Sequence, residues 1–337
     1  MISVIVCAHN EEVYINECLT ALFKQSYDFN NYEILIINDE STDKTSVIVE
    51  EFIQKNRNAI GPKIIYHKIT HSGLSVARNT GIKLCSGDIV AFIDGDAVAN
   101  VNWVEEISKY YEQCNTPAII GGPIKLLNDN SEFARLIYNS FQSVEMNLLK
   151  AIYGTNMAFS KILFDEDTFF NPLFMSRGDE TFVFNKIKIK FDIEPIQVNS
   201  IIVKHECPES KEAWLRTRFY NGYFSSVIDQ LLNRENIKKN IYTNSLIFIS
   251  FFSLPILIVI ALLNFNPVLL TLLLLVLLFL HYKIFKNIFS VLKEYQKNLN
   301  KKATFKDLKK IFWIGLLGFF ESFKGYLVAL KKFKNDF

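Results

Sequence analysis

The chain has 337 residues, half of them hydrophobic and 21% charged, with a formal net charge of +2. That is enough for a sizeable core plus a smaller second unit, and the near-neutral balance, with no basic arm carrying interleaved aromatics at either terminus, gives no case for a nucleic-acid partner. Cys7, Cys18, Cys85, Cys114 and Cys207 are scattered without a C-x-x-C pair, which argues against structural zinc and a disulfide framework and fits a reducing compartment.

Ile2 to Val6 predict a first strand. No basic region, apolar stretch and cleavage site come in succession there, so no signal peptide is expected and the front of the chain is placed in the cytosol. A helix follows over about 13–25, then a strand from Tyr32 to Ile37 that ends in Asn38-Asp39-Glu40-Ser41-Thr42-Asp43. Ser41 or Thr42 is placed to cap the next helix, over about 44–56. Lys63 to His67 predict a third strand, and Gly73 to Lys83 a turn and a short helix. Ile89 to Ile93, short and rich in β-branched residues, predict a buried fourth strand. This alternation implies an α/β fold with a largely parallel sheet and helices on both faces. The polar loops after Val6, Ile37 and Ile93 then converge at one sheet edge, where such folds bind ligands.

The fourth strand runs into Asp94-Gly95-Asp96. Two carboxylates so close repel each other unless a cation or a ring of donors compensates them. Oxygen ligands of this kind suit Mg2+ or Mn2+ held jointly with substrate phosphates, although Asp-Gly is also an ordinary turn signal. Neither a G-x-G-x-x-G after the first strand nor a G-x-x-x-x-G-K-[ST] occurs, which sets aside dinucleotide and P-loop readings. Asp39 is placed to accept from a base N–H or a ribose hydroxyl, or else to cap a helix. Arg78 is placed to meet a phosphate, which its planar guanidinium suits, or else to be a solvated helix charge.

The ordered segments Ile2-Ser3-Val4-Ile5-Val6-Cys7-Ala8-His9-Asn10-Glu11-Glu12, Ile37 to Asp43, Gly73-Leu74-Ser75-Val76-Ala77-Arg78-Asn79 and Phe92-Ile93-Asp94-Gly95-Asp96 resemble family-2 glycosyltransferases across roughly residues 1–225. The resemblance implies a GT-A, Rossmann-like nucleotide-sugar-binding fold and an inverting, metal-dependent transfer with Mn2+ or Mg2+. It implies that Asp39 reads the nucleobase, Asp94 contacts the ribose and Asp96 holds the metal, with Cys7, Asn10, Glu11 and Arg78 among the donor contacts. Cys7 and His9 stand where the family often has Thr and Tyr, and Asn38 where it often has Asp. Gly121-Gly122-Pro123 and Gly154-Thr155-Asn156-Met157-Ala158 resemble loops lining the sugar and acceptor pocket. Arg177-Gly178-Asp179-Glu180 stands in the place of the family's G-E-D, which points to Glu180 as the general base, with Asp179 as the other candidate; a carboxylate pair favoured by a helix N-terminus is the plainer reading. His205, in Val203-Lys204-His205 after an apolar strand over 196–203, resembles the histidine that completes the metal site in some members. Arg216 or Arg218, in a segment resembling the one that closes over the active site, is placed to neutralise the leaving diphosphate. The absence of Q-x-x-R-W weakens a polymerase reading.

The back half is apolar. Leu246 to Leu263 and a run from Val268 extended to Phe285, with Lys283 snorkelling, predict a membrane hairpin around Asn264-Phe265-Asn266-Pro267. Lys238, Lys239, Lys283, Lys286 and Lys293 on the outer flanks keep both ends cytosolic. Thr304 to Lys332, interrupted by Glu321 and Lys324, predict an interfacial or re-entrant helix. The expected organisation is a catalytic domain over 1–225, a linker or amphipathic segment over 226–243, a transmembrane hairpin over 244–285 and cytosolic or interfacial helices over 286–337. The catalytic domain faces the cytoplasm at the cell membrane. The expected function is transfer of one sugar from a nucleotide-sugar, a UDP-sugar by preference, to a membrane-proximal acceptor such as a polyprenyl-linked saccharide in cell-surface glycan synthesis. The alternatives are a polyprenyl-phosphate monosaccharide synthase and a non-catalytic nucleotide-sugar-binding scaffold.

Overall fold

The computed structural model describes residues 1–142, Met146, 151–232 and 305–333. The chain divides into two compact units, one of 1–138 with 145–210 and one of 139–144 with 211–337. The predicted hairpin at 244–285 lies outside the described residues.

In the first unit, β1 (Ile2–Ala8), α1 (Ile15–Phe23), β2 (Tyr32–Asp39), α2 (Thr45–Asn56), β3 (Lys63–Ile69), α3 (Leu74–Leu84) and β4 (Ile89–Asp94) alternate as expected. Then come β5 (Ala97–Ala99), α4 (Trp103–Gln113), β6 (Ile119–Gly121), β7 (Ile124–Leu126), α5 (Glu132–Ile137), β8 (Met157–Ser160), α6 (Asp179–Phe191), β9 (Ile196–Gln197) and β10 (Val203–His205). Seven strands form one sheet in the order β3-β2-β1-β4-β8-β6-β9, and β5-β10-β7 form a second. β1 to β4 are mutually parallel, but β8 runs antiparallel to both β4 and β6. The sheet is therefore mixed where a largely parallel one is expected from the alternation of its first half. The apolar stretch over 196–203 is also not one strand. It breaks at Asn199-Ser200, sending β9 to the large sheet and β10 to the small one.

Side chains of β1 alternate between two cores, as the period of a strand requires. Ile2, Val4 and Val6 pack with Leu19, Leu22, Trp103 and Ile107 on one face, while Ile5 and Cys7 pack with Ala77, Ile82 and Val183 on the other. Each such aliphatic side chain contributes about 1.5–3 kcal/mol by leaving water, so the sheet is fixed from both sides. Order reverses between β1 and β4, and the crevice at their carboxyl ends is the natural ligand position. The loop after β2 is tied down by side chains. Asn10, at φ 61°, accepts the Thr42 N–H on its Oδ1 at 2.8 Å; the N-cap of α2 is Lys44 rather than Ser41 or Thr42, and Asp43 accepts the Thr45 N–H at 2.9 Å.

The second unit contains α7 (Lys211–Leu231) and α8 (Phe305–Phe333). Two glycines let these helices approach backbone to backbone. A Cβ on Gly222 would lie 1.7 Å from the Ser322 carbonyl oxygen, and one on Gly325 2.0 Å from that of Phe219. Tyr326 Oη donates to Asp229 Oδ2 at 3.0 Å across the same seam. Helix α8 runs through Glu321 and Lys324 without a break, and Lys309–Lys332, with mean hydropathy 1.3, is long and apolar enough to cross a membrane by length and composition.

Candidate active site

The switch point between β1 and β4 sets the first half of the site. Cys7 on β1 is in register with Asp94 at the end of β4, and the Cys7 carbonyl accepts the Gly95 N–H at 3.2 Å. The chain reverses at Gly95, packed so closely that a Cβ there would sit 3.0 Å from Glu11 Cγ, and Asp96 emerges beside Asp94. Strand β5 then pairs antiparallel with β10, His205 opposite Ala97. This pairing delivers His205 Nε2 to within 3.1 Å of Asp96 Oδ2. Asp94, Asp96 and His205 each offer a ligand atom within 4.8 Å of the others. All three stay partly open to solvent, with side chains 27%, 19% and 25% exposed.

This cluster carries more negative charge than its surroundings balance. Burial, then the Asp96 and Asp94 carboxylates, push the Glu11 carboxyl up to about 8. Burial, then Asp96, also raise Glu206. Burial disfavours the charged His205 ring, but the Asp96 carboxylate outweighs it and lifts the imidazole to about 9. The same pairing outweighs burial at Asp96 and holds that carboxyl below its ordinary value. Asp96 Oδ1 is buried with no hydrogen-bond partner. An orphaned carboxylate oxygen beside a second carboxylate and an imidazole is a donor set that fits a divalent cation. Asp94 joins this set, whereas the sequence assigned it to the ribose and only Asp96 and His205 to the metal.

The second half of the site hangs on Arg78. Instead of a phosphate ligand open to solvent, its side chain on α3 is 2% exposed. Nη1 donates to Asp179 Oδ2 at 2.5 Å and Nη2 to Asp94 Oδ1 at 3.2 Å. Its guanidinium lies over the rings of Phe92 and Phe170, and Gly154 presses so close that a Cβ there would be 2.6 Å from Nη2. Arg78 thus bridges two carboxylates 85 positions apart in sequence (94 to 179). Asp179 is 0% exposed and held in that bridge, so it is not open to an acceptor. Glu180, the next residue in the first turn of α6, is half-buried, and burial followed by the Asp179 charge pushes its carboxyl up to about 8. A carboxyl so poised near neutrality is suited to taking a proton. Of the two acidic candidates, geometry favours Glu180.

Asp39, at the end of β2, is 3% exposed. It accepts the N–H groups of Ser72 on Oδ1 at 2.7 Å and Gly73 on Oδ2 at 2.9 Å, and His71 Nδ1 lies 2.9 Å from Oδ2. His9 stacks on His71 with centroids 4.4 Å apart. Cys7 is buried, its thiol pushed well up by burial, and Asn10 spends its carbonyl oxygen on the β2 loop, so both shape the loops about the crevice. Asn156 is likewise fully buried, accepting from Trp103 Nε1 at 2.9 Å and donating to the Ile201 carbonyl at 2.9 Å, which makes it a support of the expected sugar-pocket loop. Arg216 and Arg218 lie on α7 in the second unit, where Arg218 sits over the Trp214 ring. Three groups were given no role from the sequence: Glu206, Arg177 and the His9–His71 pair. Exposed Arg177 lies within electrostatic reach of Glu180, Asp94 and Asp96. Its place one residue before the Gly178 turn was the available signal.

Residues 3–170 match the profile of glycosyl transferase family 2. Glycosyltransferase GlyA of Streptococcus pneumoniae is 35% identical over 120 residues, 36% of this chain and 16% of that protein. A dolichyl N-acetyl-alpha-D-glucosaminyl phosphate 3-beta-D-2,3-diacetamido-2,3-dideoxy-beta-D-glucuronosyltransferase of Methanococcus voltae is 29% identical over 205 residues, 57% of this chain and 63% of that protein. The chain spans less than two thirds of the length of either relative. Among solved structures, the mannosyltransferase PcManGT from Pyrobaculum calidifontis, in complex with GDP-Man and Mn2+, superposes with a TM-score of 0.55 at 15% identity, covering 97% of this chain and 85% of that one. At that identity the likeness is one of fold.

Proposed function

The chain belongs to glycosyl transferase family 2, and from that premise we propose that it transfers a single sugar, with inversion, from a UDP-sugar to a membrane-proximal acceptor such as a polyprenyl-linked saccharide. The observation that carries this reading is the crevice at the β1/β4 switch point. There Asp94, Asp96 with its orphaned Oδ1, and His205 fit a divalent cation, and Arg78 ties Asp94 to the helix turn that bears Glu180. In this reading Asp39 accepts from the nucleobase. Asp94, Asp96 and His205 hold Mn2+ or Mg2+, which when bound supplies positive charge to the donor's diphosphate. Arg177 adds charge against the leaving group. Glu180 takes the proton of the acceptor hydroxyl as its oxygen attacks the anomeric carbon from the face opposite the leaving diphosphate. Arg78 fixes the Asp94 carboxylate and the start of α6 relative to each other.

The acceptor class is argued from two features. The apolar stretch of α8 and the hairpin expected from the sequence support a membrane location, and the Methanococcus relative is named for a dolichyl-linked acceptor. The lysines flanking the expected hairpin support a cytoplasmic side for the catalytic domain. The test is release of free nucleotide from a panel of nucleotide-sugars by purified full-length protein in detergent, with and without Mn2+. Metal-dependent release from one donor, raised by a polyprenyl-linked acceptor and lost in Asp96→Ala, is expected. No binding of any nucleotide would overturn the reading.

A further inference from the structure

We propose that His9, Asp39 and His71 form a second divalent-cation site, one suited to a transition-metal ion such as Zn2+ or Ni2+. The three residues come from three separate segments, the loop after β1, the end of β2 and the loop between β3 and α3, which the parallel sheet brings to one edge. Each offers a ligand atom within 4.8 Å of the others. Two ligands of one tetrahedral ion lie about 3.4 Å apart, given bonds of ~2.1 Å, so closing the site takes small side-chain rotations of two exposed rings.

The hydrogen bonds prepare both imidazoles for this role. The Asp39 carbonyl can only accept, so His9 Nδ1, 2.7 Å away, carries the proton and His9 Nε2 keeps its lone pair, at present facing the Asn10 amide at 3.2 Å. His71 Nδ1 lies 2.9 Å from Asp39 Oδ2, so an ion can take the place of the proton shared between them, with Nε2 then carrying the ring N–H. At His9 the carbonyl bound to Nδ1 fixes Nε2 for a metal, the usual support of a histidine ligand. Asp39 itself is held by two backbone N–H groups and does not have to be ordered on binding. Two imidazoles and one carboxylate form a nitrogen-rich set that selects zinc or nickel over magnesium. The Asp94, Asp96 and His205 set is richer in oxygen and differs in that respect.

The consequence for activity rests on the proposed function. If Asp39 receives the nucleobase, an ion seated on Asp39 excludes the nucleotide, and Zn2+ then inhibits while Mn2+ at the other site does not.

The test is zinc titration of the full-length protein in detergent against a chromophoric chelator, for wild type, His71→Ala, His9→Ala, Asp96→Ala and the Asp96→Ala/His71→Ala double variant, with circular dichroism to verify folding. Asp96→Ala should retain a zinc equivalent that the double variant loses, and His9→Ala should weaken the same equivalent at least tenfold. Identical zinc binding by Asp96→Ala and by a folded double variant would overturn the site. UDP binding is then measured with and without Zn2+ at saturating Mn2+ in wild type and in His71→Ala. Competition that disappears with His71→Ala supports exclusion of the nucleotide. Zinc bound at His71 without competition would overturn the placement of the nucleobase at Asp39 while leaving the metal site standing.

Discussion

Replacing Arg78 is the sharpest perturbation the structure offers. Its side chain is 2% exposed and its guanidinium donates to Asp94 and to Asp179, the latter fully buried. Removing one member of a buried ion pair typically costs about 3–5 kcal/mol, because the partner charge is left uncompensated. Arg78→Met keeps much of the side-chain volume against Phe92 and Phe170 while deleting the charge. For a unit of this size 1 kcal/mol moves the melting midpoint by about 2–4 °C, so the variant should melt ~10 °C lower. The assay is thermal unfolding of the full chain in detergent, followed as a double-mutant cycle with Asp179→Asn. If the two groups act as one pair, the double variant should recover a large part of the loss and show a coupling of about 2–3 kcal/mol. Additive losses would refute the reasoning, as would an Arg78→Met variant within about 1 kcal/mol of wild type. Arg78→Lys should rescue little, since an ammonium lacks the planar fork that spans two carboxylates.

Four further outcomes follow from the site and the second unit. Glu180→Gln should lower kcat by roughly 10²–10⁴ while leaving nucleotide binding unchanged, measured by product formation and by calorimetry. With burial and Asp179 holding the Glu180 carboxyl at about 8, the base is protonated and inactive on the acid side; kcat/KM should therefore rise with pH to a plateau above that value, and Glu180→Gln should flatten the profile. Mn2+ should raise the melting midpoint of the wild type by an amount that grows with the logarithm of its concentration, and a metal-induced rise of the same size in Asp96→Ala would remove Asp96 from the cation site. Gly222→Ala and Gly325→Ala place a methyl group within about 2 Å of a carbonyl oxygen on the facing helix, so each should push α7 and α8 apart and speed limited proteolysis of the second unit; unchanged digestion would argue against the close seam.

The alternation of the first 94 residues was legible because each strand and helix there is set by its own local pattern, and so was the edge at which Asp39, Asp94 and Asp96 gather. What stayed hidden depends on pairs distant in sequence. Arg78 looked like a surface cation because α3 alone does not disclose that Asp179, 101 positions later, packs behind it. The same ignorance kept Asp179 as a second candidate beside Glu180, although one is locked in the bridge and only the other is poised for a proton. Strand β8 turned the sheet mixed because Met157 to Ser160 carry no mark of direction; an apolar four-residue strand satisfies a parallel or an antiparallel ladder equally well.

The histidines show the complementary case. His9 was legible only as a departure from an aromatic position, and His71 not at all, since a single histidine in a polar loop has no local pattern. Their meaning comes from the register Asn38↔Lys68 and Asp39↔Ile69, which puts the loop after β3 directly over the end of β2. Once that register is fixed, Asp39 must meet Ser72, Gly73 and His71, and the pairing of β1 with β2 brings His9 to the same carboxyl edge. The sheet therefore builds two ligand clusters at one edge from the same rule, one of carboxylates at β4 and one of imidazoles at β2. Which of them an ion prefers is a matter of donor chemistry: a hard cation goes to Asp94 and Asp96, and a softer one to His9 and His71.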